Sequence, residues 1–444
     1  MNLFQRFSAH EKTTPAVELP AAGVYHFLKQ TEVEKSRLHL RIDKDGSGLL
    51  IINASRVFQL NPTAASMMFL ALNEVPRDQA AQKLHRVFNA PKSAIAGDYD
   101  TIQQQLSALI SNESCPICEM DLETTAPFTS RPSAPYRMDL AVTYRCNNAC
   151  AHCYNGRPRN YPEISTQDWM NILDDLWKIG IPHIVFTGGE PTLRDDLPEL
   201  IRHAEHNGQI TGLNTNGRKL QDQAFLQKLL DAGLDHVQIT FESHIPEIHD
   251  HMVCHPGAWQ ETLAGLKNVL ASRLYVMTNT TMLTHNQSAI PGTLEFLGQL
   301  GLKTIGLNAL IYSGHGATVG TGLSEKELEP LLEKAQEITN RYHQRLIWYT
   351  PTQYCNFDPV IRGLGVKGCT AALYNMCIEP DGSVIPCQSY YQSLGNILND
   401  PWDNIWNHEL AVSLRERKNL PEKCNSCTLL TECGGGCPLA SMVN

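Results

Sequence analysis

Apolar and polar positions in the middle of the chain follow two different periods. Four helical patterns end in a glycine, and a short strand-like run follows each one, at Gly180, Gly208, Gly233 and Gly301. Glycine ends a helix readily because it adopts the left-handed conformation. The runs mix Val, Ile and Thr with few charges, as in strands covered on both faces. With DLAVTY (139–144) and RLYVMTNTT (273–281), about six βα units predict an α/β fold, a partial (β/α)6 TIM-like barrel.

The helical pattern before Gly180 has the clearest amphipathic period. Its start carries a capping-box sequence, Ser165 and Asp168, which satisfies the first free backbone N–H groups of a helix. One helical face then carries the apolar residues Trp169, Ile172, Leu173 and Leu176. These features predict an amphipathic helix that ends at the glycine.

Composition changes divide the chain into segments. Two strand-like runs around a turn at DKDGSG and three helical patterns come first, and a Pro- and Ser/Thr-rich stretch follows them. From about residue 350 cysteines become dense, so we expect metal to organise that part. The predicted segments are a flexible tail (1–20), a small domain (21–112), a linker (113–134), the barrel (135–322), a bridging helix leading out of it (323–350) and a cysteine-rich domain (351–444).

Composition narrows the class of protein. The 444 residues are 42% hydrophobic and 18% charged, and no apolar run approaches the roughly 18 residues of a membrane span. The start lacks the apolar stretch of a signal peptide, so we expect a soluble, cytoplasmic protein without a membrane partner. A net charge of −10 argues against a nucleic-acid partner. In a reducing compartment, the clustered cysteines among the 14 are expected to be metal ligands rather than disulfides.

Three cysteines lie close together in the loop CNNACAHCYN, namely Cys146, Cys150 and Cys153, with Tyr154 directly behind. Three thiolates can hold three irons of a [4Fe–4S] cluster and leave the fourth iron open. A Cys3His zinc site using His152 is the alternative. The C-x3-C-x2-C spacing resembles that of the radical S-adenosylmethionine (radical SAM) enzymes. The resemblance implies that SAM binds the open iron and is cleaved to methionine and a 5′-deoxyadenosyl radical, which abstracts hydrogen.

The next strand ends in HIVFTGGEPTLRDDL. Paired glycines allow close approach of the backbone to a ligand, and a carboxylate can bind an ammonium group. The resemblance implies that Gly188, Gly189 and Glu190 hold the amino group of SAM, whereas the alternative is an ordinary turn with a solvated glutamate. Further residues match the family in outline and are expected to line the SAM or substrate site: Tyr154, Asn216, Glu242, Ser243 and Asn279.

The C-terminal cysteines resemble the SPASM extension of radical SAM enzymes, through KCNSCTLLTECGGGC and the upstream PDGSVIPC. The resemblance implies two auxiliary [4Fe–4S] clusters. The first would be bound by Cys369, Cys377, Cys387 and Cys437, and most of the second by Cys424, Cys427 and Cys433. The pattern normally has one more cysteine after the last motif, and this sequence ends at Asn444 without it. The second cluster is therefore expected to use a non-cysteine ligand, to use Cys355 or another distant thiol, or to keep an open iron. Zinc knuckles are the alternative.

Three other cysteines lie outside these cysteine motifs. Cys115 and Cys118 are either an extra metal or redox pair or reduced thiols, and Cys254 is expected to be a partly buried free thiol.

The small domain (21–112) resembles the winged-helix-like peptide-binding domain of the pyrroloquinoline-quinone chaperone family. That domain is also called a RiPP recognition element, after ribosomally made and post-translationally modified peptides. An exposed strand edge can accept an extended peptide by β-augmentation. DNA binding and a purely structural cap on the barrel are the alternatives.

Three functions remain open. The first is a radical SAM oxidoreductase that modifies a precursor peptide with a leader segment, forming a thioether or a carbon–carbon cross-link, with a flavodoxin- or ferredoxin-type electron donor. The second is a radical SAM enzyme of small-molecule or tetrapyrrole cofactor biosynthesis. The third is a non-catalytic Fe–S or zinc scaffold. The sequence favours the first and leaves the peptide and the bond formed open.

Overall fold

The fold is described from a computed structural model for residues 18–30, 35–53, 56–111, 132–156, 162–418 and 420–443. The chain divides into two compact units, residues 1–124 and 125–444. The predicted tail and linker, with Cys115 and Cys118, fall almost entirely outside the described residues. Within these described ranges, every helix is too short or too polar to cross a bilayer.

The first unit is an antiparallel four-stranded sheet followed by three helices. The strands are β1 (Gly23–Gln30), β2 (Lys35–Ile42), β3 (Gly48–Ile52) and β4 (Arg56–Leu60), paired in that order, and the helices are α1 (Pro62–Leu72), α2 (Arg77–His85) and α3 (Lys92–Ser111). The predicted turn lies between β2 and β3, where Asp43 N donates to Ser47 O at 2.8 Å. Strand β1 was not predicted, because its described residues from Gly23 to Lys29 are all at least partly exposed and show no buried face.

The second unit is built on a ten-stranded sheet. Its strands are β5 (Arg137–Thr143), β6 (His183–Gly188), β7 (Ile210–Thr215), β8 (His236–Thr240), β9 (Tyr275–Thr281), β10 (Thr304–Asn308), β11 (Arg345–Trp348), β12 (Asn375–Ile378), β13 (Ser383–Ile385) and β14 (Gly395–Asn396). The spatial order is β11-β10-β9-β8-β7-β6-β5-β12-β13-β14. Strands β5 to β11 pair in parallel, in chain order, as expected for consecutive βα units.

Helices follow most strands of this sheet. They are α4 (Thr166–Ile179), α5 (Leu197–Asn207), α6 (Gln223–Ala232), α7 (Pro246–Val253), α8 (Ala258–Leu270), α9 (Ile290–Gln299), α10 (Glu325–Arg341), α11 (Trp402–Trp406), α12 (Glu409–Arg415), α13 (Leu430–Cys433) and α14 (Pro438–Val443). The capping box of α4 is present, and its predicted apolar face is buried. Gly180, Gly208 and Gly233 end their helices in the left-handed conformation, at φ of 104°, 91° and 98°. The partial barrel is therefore confirmed.

Two connections differ from the expectation. The helix predicted to lead out of the barrel is α10, but the chain returns from it to the sheet, where β11 adds a seventh parallel strand beside β10. With only four residues, β11 was too short to stand out in the sequence. The cysteine-rich part also joins the sheet, because β12 pairs in parallel with β5. The barrel and the cysteine-rich part therefore form one unit.

Candidate active site

The residues chosen from the strand ends meet around one cavity of about 1450 Å³. Those that line it are Cys146, Cys150, Cys153, Tyr154, Gly188, Gly189, Asn216, Glu242 and Asn279. Cys369, Cys387 and Cys437 line it as well, so it reaches from the first cysteine loop to the auxiliary cysteines. Glu190 and Ser243 are fully buried and do not line the cavity.

The first cysteine loop lies at the carboxyl end of β5 and is held by backbone hydrogen bonds. Ala149 N donates to Val253 O at 3.1 Å, and Ala151 N donates to Met252 O at 3.3 Å, so the loop docks on the end of α7. On its other side, His315 N donates to Cys153 O at 2.9 Å. The loop is thus anchored at several backbone positions between its cysteines.

Arg218, which sequence reasoning missed, clamps the start of this loop. Its Nη1 donates to Asn147 O at 2.6 Å and to Asn148 Oδ1 at 2.8 Å. Its Nε donates to Glu261 Oε2 at 2.5 Å, and its side chain is only 9% exposed. A fork of donors that satisfies several acceptors at once is specific to arginine. Its position directly after the strand-end motif LNTNG was the available signal.

We expect Arg218→Lys to loosen the cysteine loop, because lysine cannot reproduce the forked contacts. Losing charge-assisted hydrogen bonds worth about 1.5–3 kcal/mol each should make any iron held by the loop several-fold more labile. The measurement is the rate at which a chelator bleaches the visible absorbance of the iron-loaded protein. Arg341→Lys is the control, since Arg341 forms only exposed ion pairs and its exposure is 52%. Equal bleaching rates would remove Arg218 from this role.

The two glycines after β6 are required by close packing of neighbouring loops. A Cβ on Gly188 would lie 2.1 Å from Thr143 O, and one on Gly189 would lie 2.4 Å from Arg145 O. Gly189 N donates to Thr143 O at 2.8 Å, and Glu190 N donates to Arg145 O, also at 2.8 Å. Any side chain at these glycines would therefore push the glycine loop away from the cysteine loop.

Glu190 lies at the centre of a buried hydrogen-bond network. Its Oε1 accepts bonds from Thr192 N at 3.1 Å, from the Thr192 hydroxyl at 2.6 Å and from the Thr215 hydroxyl at 2.7 Å. Its Oε2 accepts one bond, from Asn216 N at 2.7 Å, so a lone pair remains for another donor. Burial raises the pKa of this carboxyl, and the hydrogen bonds oppose that shift. The alternative of a solvated glutamate is wrong, because Glu190 is 0% exposed.

Glu242 connects the end of β8 to the cysteine loop. Its Oε1 lies 3.1 Å from His152 Nε2, and its Oε2 accepts a bond from Thr281 N at 2.8 Å. Four buried polar atoms of the cavity wall have no hydrogen-bond partner in the described structure, namely Asp139 Oδ2, His152 Nδ1, Asn279 Oδ1 and Thr352 Oγ1. Buried polar atoms without partners are rare, so these atoms are candidate contacts for a polar ligand.

Ser243 has a different role from the expected one. Its hydroxyl accepts a hydrogen bond from Ile245 N at 3.0 Å, just before α7, and its carbonyl accepts one from Trp259 Nε1 at 3.2 Å. Ser243, which follows Glu242 in the chain, therefore shapes the loop after β8.

Residues two or four positions before the predicted ones also line the cavity: Asn214, Gln238 and Thr240. Alternate residues of a strand point to the same side, so a period-two extension from Asn216 and Glu242 would have found them.

A further contact that was not predicted involves Tyr154, Asn155 and Tyr391. The Tyr391 hydroxyl donates to Tyr154 O at 3.0 Å, and Asn155 Nδ2 donates to Gly188 O at 2.6 Å. The cysteine-rich part is thereby bonded to the cysteine loop, and that loop to the glycine loop.

The auxiliary cysteines fall into two groups. Cys377 lies on β12, opposite Asp139 of β5, and its electrostatic neighbours include Cys387. The thiols of Cys369, Cys387 and Cys437 affect one another in the same way, so these four form one group. The second group contains Cys424, Cys427 and Cys433, because the thiols of Cys427 and Cys433 both act on that of Cys424.

The arrangement of the cysteine thiols suits iron–sulfur clusters better than single metal ions. Among the described residues, no three His, Cys, Asp or Glu side chains are close enough to share a single ion, whereas a cubane spreads its cysteines over four irons. The twelve described cysteines form no disulfide. Burial raises the pKa of Cys146 to about 11 and that of Cys369 to about 12. Buried thiolates need a nearby positive charge, which iron supplies, so the cysteines fit clusters.

Comparisons with known proteins agree with this chemistry. Residues 140–297 match the radical SAM superfamily, and residues 369–428 match SPASM, an iron–sulfur cluster-binding domain. Fe-coproporphyrin III synthase from Methanosarcina barkeri is 29% identical over 327 residues, which cover 66% of this chain and 81% of that protein.

Solved structures share the fold. Streptococcus suis SuiB bound to its precursor peptide SuiA has a TM-score of 0.69 at 16% identity, covering 95% of this chain and 97% of SuiB. The enzyme anSMEcpe with bound AdoMet has a TM-score of 0.56 at 18% identity, covering 69% of this chain and 90% of the other. A radical SAM domain requires a [4Fe–4S] cluster and SAM, and a SPASM domain binds auxiliary Fe–S clusters. The chain is therefore an enzyme with a radical SAM domain at residues 140–297 and a SPASM domain at residues 369–428.

Proposed function

We propose that this chain is a maturase that modifies a ribosomally made precursor peptide, forming a thioether or a carbon–carbon cross-link. The observation that carries the proposal is the likeness to SuiB in complex with its precursor peptide, which extends over 95% of this chain and so includes most of the first unit. A structure of anSMEcpe also contains a bound peptide. The cavity of about 1450 Å³ is large enough for several residues of a peptide.

In this proposal Cys146, Cys150 and Cys153 hold the SAM-binding cluster. When bound there, the cluster and SAM would supply the chemistry that removes a hydrogen atom from the substrate. Glu190, which lies just behind the cavity-lining residues Gly189 and Asn216, would offer the open lone pair of Oε2 to the ammonium group of SAM, while its bond from Asn216 N fixes that backbone. The unpartnered Oδ1 of Asn279 accepts a hydrogen bond from the ligand.

Tyr154 and Glu242 shape the wall of the same site. The Tyr154 hydroxyl donates to Gln388 Oε1 at 3.1 Å, directly beside Cys387. Burial raises the pKa of this hydroxyl, so it remains a neutral donor at physiological pH. Glu242 orients the His152 ring through Nε2 and directs Nδ1 toward a ligand.

The clusters held by the auxiliary cysteines would accept the one electron that the substrate radical gives up when the new bond forms and a proton leaves. Cys369, Cys377, Cys387 and Cys437 would hold one cluster, and three of these cysteines line the same cavity. The second cluster, on Cys424, Cys427 and Cys433, would pass electrons onward. A flavodoxin- or ferredoxin-type protein would serve as the external electron donor.

The first unit would hold the leader segment of the peptide. Strand β1 is the edge of its sheet, and Leu28 on this strand is 46% exposed. An edge strand presents unpaired backbone groups to which an extended peptide can add. This module resembles the RiPP recognition element in its order of strands and helices.

A second candidate function follows from the relative in Methanosarcina barkeri. The 29% identity to Fe-coproporphyrin III synthase favours a tetrapyrrole substrate. That match, however, leaves about a third of this chain uncovered, since it extends over 66%. A leader-binding role would account for a first unit of this kind, whereas a tetrapyrrole substrate requires none.

The experiment uses the full chain, SAM, a reductant and a short peptide encoded beside its gene. We expect mass spectrometry to show a loss of two hydrogens from the peptide, together with 5′-deoxyadenosine. Leu28→Asp should weaken leader binding by about tenfold, because a charge disfavours an apolar contact at the edge. Val87→Asp is the control, since Val87 is 62% exposed elsewhere in the same unit. Formation of Fe-coproporphyrin III with an unaltered peptide would instead support the second candidate.

A further inference from the structure

A short segment that precedes the SPASM match in the sequence contacts the C-terminal motif of the second cysteine group. The segment is Thr352–Cys355, whereas the match begins only at residue 369. Tyr354 N donates to Cys433 Sγ at 3.4 Å, and Gln353 Nε2 donates to Gly435 O at 3.4 Å. Thr352 O is also 3.6 Å from Cys433 Sγ. Three consecutive residues therefore touch the C-terminal motif immediately before Cys355.

Glu325, the first residue of α10, holds this segment in place. Glu325 accepts a hydrogen bond from Gln353 N at 2.9 Å and another from Asn356 Nδ2 at 2.6 Å. Phe357 N then donates to Gln353 O at 3.0 Å and closes the turn around Cys355. The position of Cys355 is therefore fixed from both sides by contacts of its neighbours.

Lys423 connects Cys355 to the first cysteine of the motif. Its Nζ lies 3.8 Å from Cys355 Sγ and donates to Gln353 Oε1 at 3.0 Å. The next residue along the chain is Cys424. Through Lys423, Cys355 is thus linked to the residue directly before Cys424.

We propose that Cys355 is the fourth ligand of the second auxiliary cluster, together with Cys424, Cys427 and Cys433. The first auxiliary group already has its four cysteines, and the barrel loop has its three. Among the remaining described cysteines, Cys254 lies at the end of α7, where its thiol contacts His251 O. Cys355 is the thiol that the contacts above bring to the incomplete group.

This assignment defines the role of the cluster and rests on the proposed function. Four cysteine ligands close the cluster, so it has no iron available for a substrate thiolate. It would then act in electron transfer only, between the first auxiliary cluster and an external redox protein that accepts the electron. The ammonium group of Lys423 offsets part of the negative charge of four thiolates, which makes reduction easier.

Anaerobic alkylation of the iron-loaded chain tests the ligand directly. Cys355 and Cys254 are both exposed thiols in the structure and form a matched pair. We expect iodoacetamide to label Cys254 readily and Cys355 at least about tenfold more slowly, because a metal-bound thiolate is protected. After the iron is removed by a chelator, both should be labelled at similar rates. Equal labelling of the two in the iron-loaded protein would overturn the proposal.

Iron analysis of variants gives a second readout. With three cubanes the chain holds about 12 irons, and Cys355→Ser should lower this number toward about 8, or leave a second cluster with one exchangeable iron. Cys424→Ser should behave in the same way, and Cys254→Ser should keep all the iron. Unchanged iron and an unchanged electron paramagnetic resonance spectrum in Cys355→Ser would refute the assignment. Peptide modification is measured separately, so failure of the proposed function leaves both readouts interpretable.

Discussion

The Cys150→Ala variant is expected to form no 5′-deoxyadenosine in the presence of SAM and a strong reductant. Cys150 is the middle thiol of the loop, and its removal leaves two ligands where three are needed to hold a cluster with one open iron. Formation of 5′-deoxyadenosine should fall to the background level, at least about 10³-fold below the unaltered chain. Chromatography of the quenched reaction measures this directly.

Cys254→Ala is the matched control for this experiment. Its exposed thiol contacts a backbone carbonyl at the end of α7, and its loss should leave the cleavage of SAM unchanged. The iron content of Cys150→Ala should fall by about four, because the auxiliary cysteines remain. If this variant still forms 5′-deoxyadenosine, the cysteine loop is not the site of SAM cleavage.

Glu190→Ala is expected to weaken SAM binding by at least about tenfold, equivalent to about 1.4 kcal/mol, because a charge-assisted contact to the ammonium group is lost. It should also lower the free energy of unfolding by roughly 3–5 kcal/mol. The donors on Thr192, Thr215 and Asn216 would lose their acceptor in a buried site. Titration with SAM and chemical denaturation measure the two effects separately.

Two further variants separate binding from stability. In Glu190→Gln the amide must point its NH2 group either at Asn216 N or at the three donors around Oε1, so neither orientation satisfies the network. Thr192→Val removes one hydroxyl donor and keeps the carboxylate. We expect Thr192→Val to lose stability by about 1 kcal/mol while it retains its affinity for SAM. If Glu190→Ala binds SAM as tightly as the unaltered chain does, Glu190 has a structural role alone.

The barrel could be predicted because its signals are local. A glycine in the left-handed conformation and a capping box each act within one turn of helix, so Gly180 and Ser165 were sufficient to place the ends of α4. Strands β1 and β11 were missed for the opposite reason. Strand β1 has no fully buried side chain among its described residues, and β11 is defined only by the neighbour with which it pairs.

The site was predicted to the extent that the chemistry requires particular residue types. Cysteines and a glycine pair can be read from spacing, but the partners of Glu190 come from two different loops and are brought together by folding. Arg218 is a similar case, because its acceptors lie about seventy positions earlier in the chain. Contacts of this range depend on the order of strands in the sheet, which no local pattern encodes.

The pairing of β12 with β5 limits how this protein can be divided. Met376 and Cys377 lie opposite Met138 and Asp139, on the strand that leads into the first cysteine loop. Truncating the chain after residue 350 would remove β12 and leave one edge of β5 without a hydrogen-bonded neighbour. Such an unpaired edge is prone to aggregation. Grafting the C-terminal module of a relative would succeed only if the donor segment brought a matching strand. The two cysteine-bearing parts therefore have to be engineered together, because a shared row of backbone hydrogen bonds sets the spacing between them within one compact unit.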